Sequence, residues 1–396
     1  MNKLRLLFLA YLALLVGFFI YSFTQVDLGL TLSKLPIYQV AGKSLQYLGF
    51  YQRPLSTLIF TLIISLLFIF YFSFLYLAKK GRLKLKTLTI LTIFAAVILG
   101  FSYNAFSYDL FNYIFDARIV SHYHLIPYFY KAADFTGDPM LNFMRWTHRT
   151  YPYGPSWLIL TVPLTFIGMN YFLPTFFLFK LLMTLSFLGS CVLVYKISAK
   201  LFPENKLFNV VFFAFNPLVL IESLVSAHND IPMIFFLLLS IYLFLQKKKT
   251  LSWVSNLFSI GVKFSTGALF PLFILIEFLD RTGRKINWEK FFIAAIILSL
   301  STVLVASLRT TFQPWYLVFP LSLAAFVPRK AYIFIPSLMA SIFAVSIYIP
   351  YILMTDYAKG YPQVAQDIEL VGFAAVLIFT VAALLLTKFS PKHLTN

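Results

Sequence analysis

Apolar residues along this chain fall into runs long enough to cross a membrane, separated by short polar clusters. Leu4–Phe23, Leu55–Ala78, Thr87–Phe106, Tyr171–Tyr195, Ala331–Met354 and Ile368–Thr387 each approach the roughly 20 residues that span a hydrocarbon core. The pattern predicts an all-α, polytopic membrane protein. Two runs break the pattern. Pro155–Gly168 is too short to span comfortably and is expected to lie along the interface or dip into it. Leu251–Leu279 has basic residues at both ends, so it must go out and return. It reads as two short helices hinged near Gly261-Val262-Lys263-Phe264-Ser265-Thr266-Gly267.

Composition supports the same class. Hydrophobic residues make up 60% of the chain and charged residues only 12%, with a mean hydropathy of +0.84; soluble domains carry roughly 25% charge. Leu4–Phe23 follows Lys3 and Arg5 as in a signal peptide, but no small-x-small cleavage site follows, so a retained anchor is expected. The single cysteine, Cys191, excludes an intramolecular disulfide and a thiolate metal cluster.

The net charge of +18 raises the question of nucleic acid. No basic patch with interleaved stacking residues stands free of the membrane, so nucleic acid is not an expected partner. The charge has a simpler use, which is orientation. One set of inter-run clusters holds Lys3/Arg5, Lys79–Lys86, Lys196–Lys206, Lys247–Lys249, Arg281–Lys290, Arg329/Lys330 and Lys388/Lys392, or 21 of the 32 Lys and Arg. The other set holds nine, together with Asp27, Asp109, Asp116, Asp134, Asp138, Asp230, Asp356 and Asp367. By the positive-inside rule the first set is cytoplasmic.

Alternating the two sets gives about twelve crossings of the cytoplasmic (inner) membrane with both termini inside. External segments are then 24–54, 107–170, 225–230, 309–315 and 355–367. An N-terminal hairpin (1–86), a central module (87–328) with the large loop 107–170, and C-terminal helices (329–396) are the expected divisions. The chain shows no internal repeat.

Candidate chemistry gathers on the external side. Apart from His393, every histidine lies there, namely His122, His124, His148 and His228, as do Tyr151-Pro152-Tyr153-Gly154-Pro155-Ser156-Trp157 and Gln313-Pro314-Trp315-Tyr316. Such aromatics are interfacial anchors in general; their concentration beside titratable groups suggests a site. Asp109 follows an apolar run directly and fits two roles, a general base at bilayer-surface depth or, like Ser107, a helix cap. Asp116 would share its helical face, with Arg118 beside it. His228-Asn229-Asp230 fits either a helix N-terminus or a hydrogen-bonding cluster for sugar hydroxyls. Glu222 and Glu277 lie near helix ends and read as snorkelling groups. Lys263 and Arg309, at membrane depth near the outer side, fit either a lipid-phosphate clamp or interfacial snorkelling. His122-x-His124 would point to different helix faces, so no metal is expected. No phosphate-binding glycine loop occurs.

Ser107-Tyr108-Asp109-Leu110-Phe111-Asn112-Tyr113, followed by Pro127-Tyr128, resembles the first external loop of GT-C glycosyltransferases. Tyr153-Gly154-Pro155, Asn216-Pro217 with His228-Asn229-Asp230, Gly261-Val262-Lys263 and Pro314-Trp315-Tyr316 continue the likeness in order, over about 100 to 320. The set is most similar to the polyprenyl-phosphate-mannose-dependent α-mannosyltransferases of bacterial envelopes. That resemblance implies a GT-C-like helix bundle, a lipid-linked sugar donor and an extracytoplasmic glycan or glycolipid acceptor. It assigns the catalytic base to Asp109. Substrate contacts would fall to Asp116, Arg118, Tyr151, Tyr153, His228, Asn229, Asp230, Lys263, Arg309, Trp315 and Tyr316. No cofactor is implied. A single displacement with one base predicts inversion at the anomeric carbon. A flippase for lipid-linked saccharides is the alternative; it would favour ionisable groups near the bilayer midplane, where only Lys180 sits squarely within a run.

Overall fold

The computed structural model describes residues 3–355 and 358–389; Asp356, Lys392 and His393, which enter the charge pattern, lie outside them. Among the described residues the chain is all helical, with no β-strand. Its helices are α1 (Lys3–Ser22), α2 (Pro36–Phe50), α3 (Arg53–Lys79), α4 (Leu85–Gly100), α5 (Asp109–Ser121), α6 (Pro155–Ile167), α7 (Phe172–Leu201), α8 (Lys206–Ala214) and α9 (Pro217–Leu220). They continue as α10 (Asp230–Leu245), α11 (Lys249–Val262), α12 (Phe270–Arg281), α13 (Trp288–Arg309), α14 (Val318–Ala324), α15 (Ala331–Ser346), α16 (Tyr348–Met354) and α17 (Tyr361–Phe389).

Six stretches are long and apolar enough to cross a membrane: Leu4–Gln25, Arg53–Lys79, Phe172–Leu201, Trp288–Arg309, Ala331–Met354 and Tyr361–Thr387. A seventh is the bent pair Pro203–Ala214 and Pro217–Val225. Leu85–Gly100, Pro155–Ile167, Asp230–Leu245 and Pro314–Ala324 are apolar but shorter. The expected break near 261–267 is where α11 stops and a 3₁₀ turn, Phe264–Leu269, leads into α12. Several of these helices leave wide apolar faces uncovered. Leu58, Leu62 and Ile69 of α3 are exposed, as are Leu370, Leu377 and Leu386 of α17. In water such faces would be untenable; in lipid they cost nothing. The chain is a multi-pass membrane protein.

Burial concentrates in the middle. Every residue from Phe208 to Ile234 is buried, and the stretch carries α8, α9, a wider π turn (Ile221–Val225) and the start of α10. A bend of 57° separates α8 from α9. Pro217 causes it, because it supplies no N–H and cannot sit in a continuing helix. Asn216 repairs the break: its side-chain oxygen accepts the N–H of Leu218 at 3.0 Å, and its amide donates to Ser341 Oγ at 2.9 Å.

The far end of that segment is irregular for a reason visible in its partners. Ala227 sits at φ +58°, a left-handed backbone that costs an ordinary residue about 1 kcal/mol. Lys180 of α7, wholly buried, donates its ammonium hydrogens to the carbonyl oxygens of Leu224 and Val225 (3.0 Å to the latter) and to Ser102 Oγ at 3.4 Å. Carbonyls released where the helix widens thus find a donor inside the protein. The turn then delivers His228, Asn229 and Asp230 into the interior.

Candidate active site

Helix α5 presents Asp109 at its first position. The N-cap position is Tyr108, which makes no side-chain cap; just before it the Ser107 hydroxyl accepts the Asp109 N–H at 3.1 Å, and the carboxylate of Asp109 makes other contacts. Of the two roles open to it from sequence, capping is not taken up: Asp109 is the first helical residue and its carboxylate caps nothing. Asp109 Oδ2 lies 3.5 Å from the Tyr113 hydroxyl and 3.4 Å from Nδ1 of His228. On its other edge, His228 Nε2 lies 3.3 Å from Glu222 Oε2. These separations are long for hydrogen bonds; the two that involve His228 lie within ion-pair distance. The imidazole is clamped from its face as well: the Trp315 ring stacks on it at 3.9 Å with the planes 18° apart.

Electrostatics follow from those contacts. Burial works against a charged imidazole, but the carboxylates of Asp109 and Glu222 outweigh it and lift His228 to about 9. Burial would likewise raise the Asp109 carboxyl; the His228 imidazolium and the Lys263 ammonium outweigh it and hold the group below the ordinary carboxylate value. Among the described residues Asp116 has no such neighbour. Burial first, and the charge on Asp109 second, push it up to about 8. One helix therefore carries two acids that differ in protonation at neutral pH.

A cavity of about 220 Å³ opens on both. Asp109, Asp116, Tyr153, Lys263, Trp315 and Tyr316 line it, with Asn112, Trp146, Arg149 and Gln313. Lys263 bonds Asp230 Oδ2 at 2.7 Å and stands 5.6 Å from the Tyr316 ring centre. Tyr153 and Trp157 meet the Tyr113 ring edge to face, at 5.4 and 5.3 Å, and the Tyr113 hydroxyl also reaches Asn229 Oδ1 at 3.4 Å. Two glycines bring these walls together. A Cβ on Gly154 would fall 2.3 Å from the carbonyl oxygen of Gly261, and one on Gly261 would fall 2.2 Å from Ser156 Oγ. The start of α6 and the end of α11 thus touch backbone to backbone, which sets Tyr153 and Lys263 on one cavity.

Not every expected residue converges. Arg118 turns away and pairs with Asp138 at 2.7 Å while donating to the Asn170 carbonyl oxygen at 2.9 Å. Tyr151 is buried against Tyr128 and Tyr153 and donates its hydroxyl hydrogen to the Gly154 carbonyl oxygen. Arg309 ends α13 exposed, outside the cavity wall, although Thr310 and Thr311 reach it. His228, Asn229 and Asp230 stand behind the wall rather than on it. Glu222 is corrected outright: it is only 1% exposed and accepts the Tyr348 hydroxyl hydrogen at 2.7 Å, so it does not snorkel. Glu277, at a cytoplasmic-type cluster, pairs with Arg281 and Lys249. Trp146 and Arg149 were missed from sequence; a basic and aromatic run within the polar loop was their only signal. Gln313 stood in the Gln313-Pro314-Trp315-Tyr316 turn but was not assigned a substrate contact.

With that geometry in view, comparison with known proteins is decisive at the level of family. Residues 14–278 match the alpha-(1->6)-mannopyranosyltransferase N-terminal domain. The chain belongs to this family. It is accordingly a membrane-embedded glycosyltransferase, a mannosyltransferase of the GT-C type. No curated protein and no solved structure matches the mannosyltransferase.

Proposed function

We propose that the enzyme transfers mannose from a polyprenyl-phosphate donor to an extracytoplasmic glycan or glycolipid acceptor, with inversion and with Asp109 as base. The observation that carries this reading is the carboxylate of Asp109, half-buried, paired with His228 and opening on a polar cavity. The acceptor hydroxyl oxygen attacks the anomeric carbon, the bond from that carbon to the phosphate oxygen breaks, and the electron pair leaves with the polyprenyl phosphate. The hydroxyl proton passes to Asp109. A weakly basic carboxylate suffices because a phosphate departs readily and the proton moves late. Lys263 and Arg149, cations on the same cavity, offset charge growing on that phosphate. Tyr153, Trp315 and Tyr316 frame the sugar.

A lipid-linked donor is favoured by what adjoins the cavity. The turn that supplies Gln313, Trp315 and Tyr316 also supplies Phe312 and Leu317 to an apolar groove of about 250 Å³ walled by α13, α15 and α17. A prenyl chain in the bilayer would lie there with its headgroup at the cavity. Counting α4, the bent pair, α10, α11, α12 and α14 besides the six longest spans gives about twelve crossings. In that topology both termini are cytoplasmic, and the cavity-lining segments all fall on the external side by the charge pattern. The reading needs no metal, and among the described residues no three His, Cys, Asp or Glu side chains converge as ligands would.

The test is Asp109→Asn, nearly isosteric and unable to accept the proton. Transfer from radiolabelled polyprenyl-phosphate mannose should fall at least about a hundredfold while the amount of protein in the membrane stays the same. Retained transfer would remove the base from Asp109. Movement of the labelled lipid across vesicles without a new glycosidic bond would favour a flippase instead.

A further inference from the structure

Glu222 is an acid sealed inside the helix bundle, on a segment with no exposed residue and no place on the cavity wall. An isolated buried carboxylate costs several kcal/mol, so its position calls for a partner. That partner is His228, whose two ring nitrogens face two different acids, Glu222 at 3.3 Å and Asp109 at 3.4 Å. Glu222 is itself fixed by the Tyr348 hydroxyl on its other oxygen, and His228 by the face of Trp315. Tyr113 touches Asp109, and the Lys263–Asp230 pair stands close by.

We propose that Glu222 and His228 are positioning residues of the transferase: Glu222 keeps His228 charged and oriented, and His228 in turn keeps Asp109 ionised and aimed into the cavity. This rests on Asp109 being the base. Two acids around one imidazolium leave a net single negative charge in the interior; with a neutral imidazole they would leave two. Holding two unscreened carboxylates within reach of one ring is much more costly in a low dielectric than holding a charged triad. The imidazolium is therefore the state the fold maintains, consistent with His228 being raised to about 9. Glu222 acts through His228 and never meets substrate. The π turn that contains Glu222 and the left-handed Ala227 after it bring the two within reach, since the His228 N–H closes back on the Glu222 carbonyl oxygen at 2.9 Å.

The experiment compares wild type, Glu222→Gln, Glu222→Asp and Asp109→Asn as full-length protein in detergent or vesicles. Histidine labelled with ¹⁵N reports the His228 titration directly, with His228→Asn to assign the signal. In wild type His228 should still be protonated at pH 8; a titration near the free-histidine value overturns the proposal without recourse to any variant. In Glu222→Gln the titration should move to lower pH, and kcat for mannosyl transfer should fall about tenfold with KM for the donor little changed. The alkaline limb of the pH–rate profile should shift in the same direction as the titration. Glu222→Asp should recover part of each change. A Glu222→Gln protein that is merely less abundant, with titration and pH profile unmoved, overturns the relay. Should Asp109→Asn retain transfer while the titration behaves as expected, the ionic chain stands and only its role in proton transfer is lost.

Discussion

Two positions on α5, its first residue and one two turns further on, face the same cavity and obey opposite electrostatics. At the first turn Asp109 meets His228 and, through it, Glu222, with Lys263 near enough to add its charge, and its carboxyl is held low. Two turns on, Asp116 meets the same cavity with no cation bonded to it among the described residues and is pushed up to about 8. Arg118, the cation nearest to it in sequence, is taken by Asp138. The two side chains are chemically identical and sit on one helical face. What differs is what the rest of the fold brings to each position, and that division suits the transfer proposed above: one acid to accept a proton, one neutral group to donate a hydrogen bond.

The sharpest way to break the contrast is to remove a cation from the Asp109 end. Lys263→Met leaves Asp230 buried without its partner and strips the cavity of a charge that the proposed transfer sets beside the departing phosphate. Mannosyl transfer should drop about a hundredfold to a thousandfold, and thermal unfolding of the purified protein should show a loss of about 3 kcal/mol from the uncompensated Asp230. A variant keeping more than a tenth of wild-type transfer would mean that Lys263 holds the fold together and leaves the phosphate alone.

Much of the Asp109 end was legible in sequence, and much of its surroundings was not. Asp109, the His228-Asn229-Asp230 turn, Lys263 and the break after Gly261 are each local signals: rare charges beside apolar runs, or glycines where a helix must stop. Their convergence follows from the order of the spans. Glu222 was misjudged because its neighbourhood depends on a widened helical turn and on one left-handed alanine, neither of which has a composition that marks it. Arg118 and Arg309 were drawn into the site by proximity along the chain. Arg118 answers instead to an acid twenty residues away, through a loop whose path no periodicity encodes. The count of crossings depends on helices as short as Val318–Ala324, which length alone does not distinguish from interfacial segments.

A milder perturbation separates the two positions mechanically. The Gly154–Gly261 contact joins the Tyr153 wall to the segment that carries Lys263. Gly154→Ala places a methyl against a backbone carbonyl that cannot retreat, so α6 and α11 must part. The expected cost is about 2 to 3 kcal/mol of stability, measured by thermal unfolding. Transfer should suffer through KM and kcat together, because both walls move. Gly137, where a Cβ would meet nothing within 4 Å but whose φ is +99°, is the control: alanine there strains only its own backbone. Equal effects of the two alanines on transfer would show that the α6–α11 contact does not set the cavity.

The smallest effect should come from Asp116, and its sign is the informative part. At neutral pH the wild-type side chain is protonated, so Asp116→Asn replaces one neutral hydrogen-bonding group by another and transfer at pH 7 should stay within about threefold of wild type. Above about pH 8 wild-type Asp116 ionises beside Asp109 and its donor hydrogen is lost; activity should fall there in wild type and not in Asp116→Asn. Stability runs in parallel. An acid whose folded value lies above its ordinary 3.8 binds more protons folded than unfolded, so its contribution becomes steadily less favourable from about pH 4 up to about pH 8 and is then constant. Asp116→Asn removes that penalty. It should unfold at a higher temperature than wild type at neutral pH, with the gap closing as pH falls towards 4. If the gap instead narrowed as pH rose to 8, Asp116 would be an ionised partner of some cation, and the two acids of α5 would be alike after all.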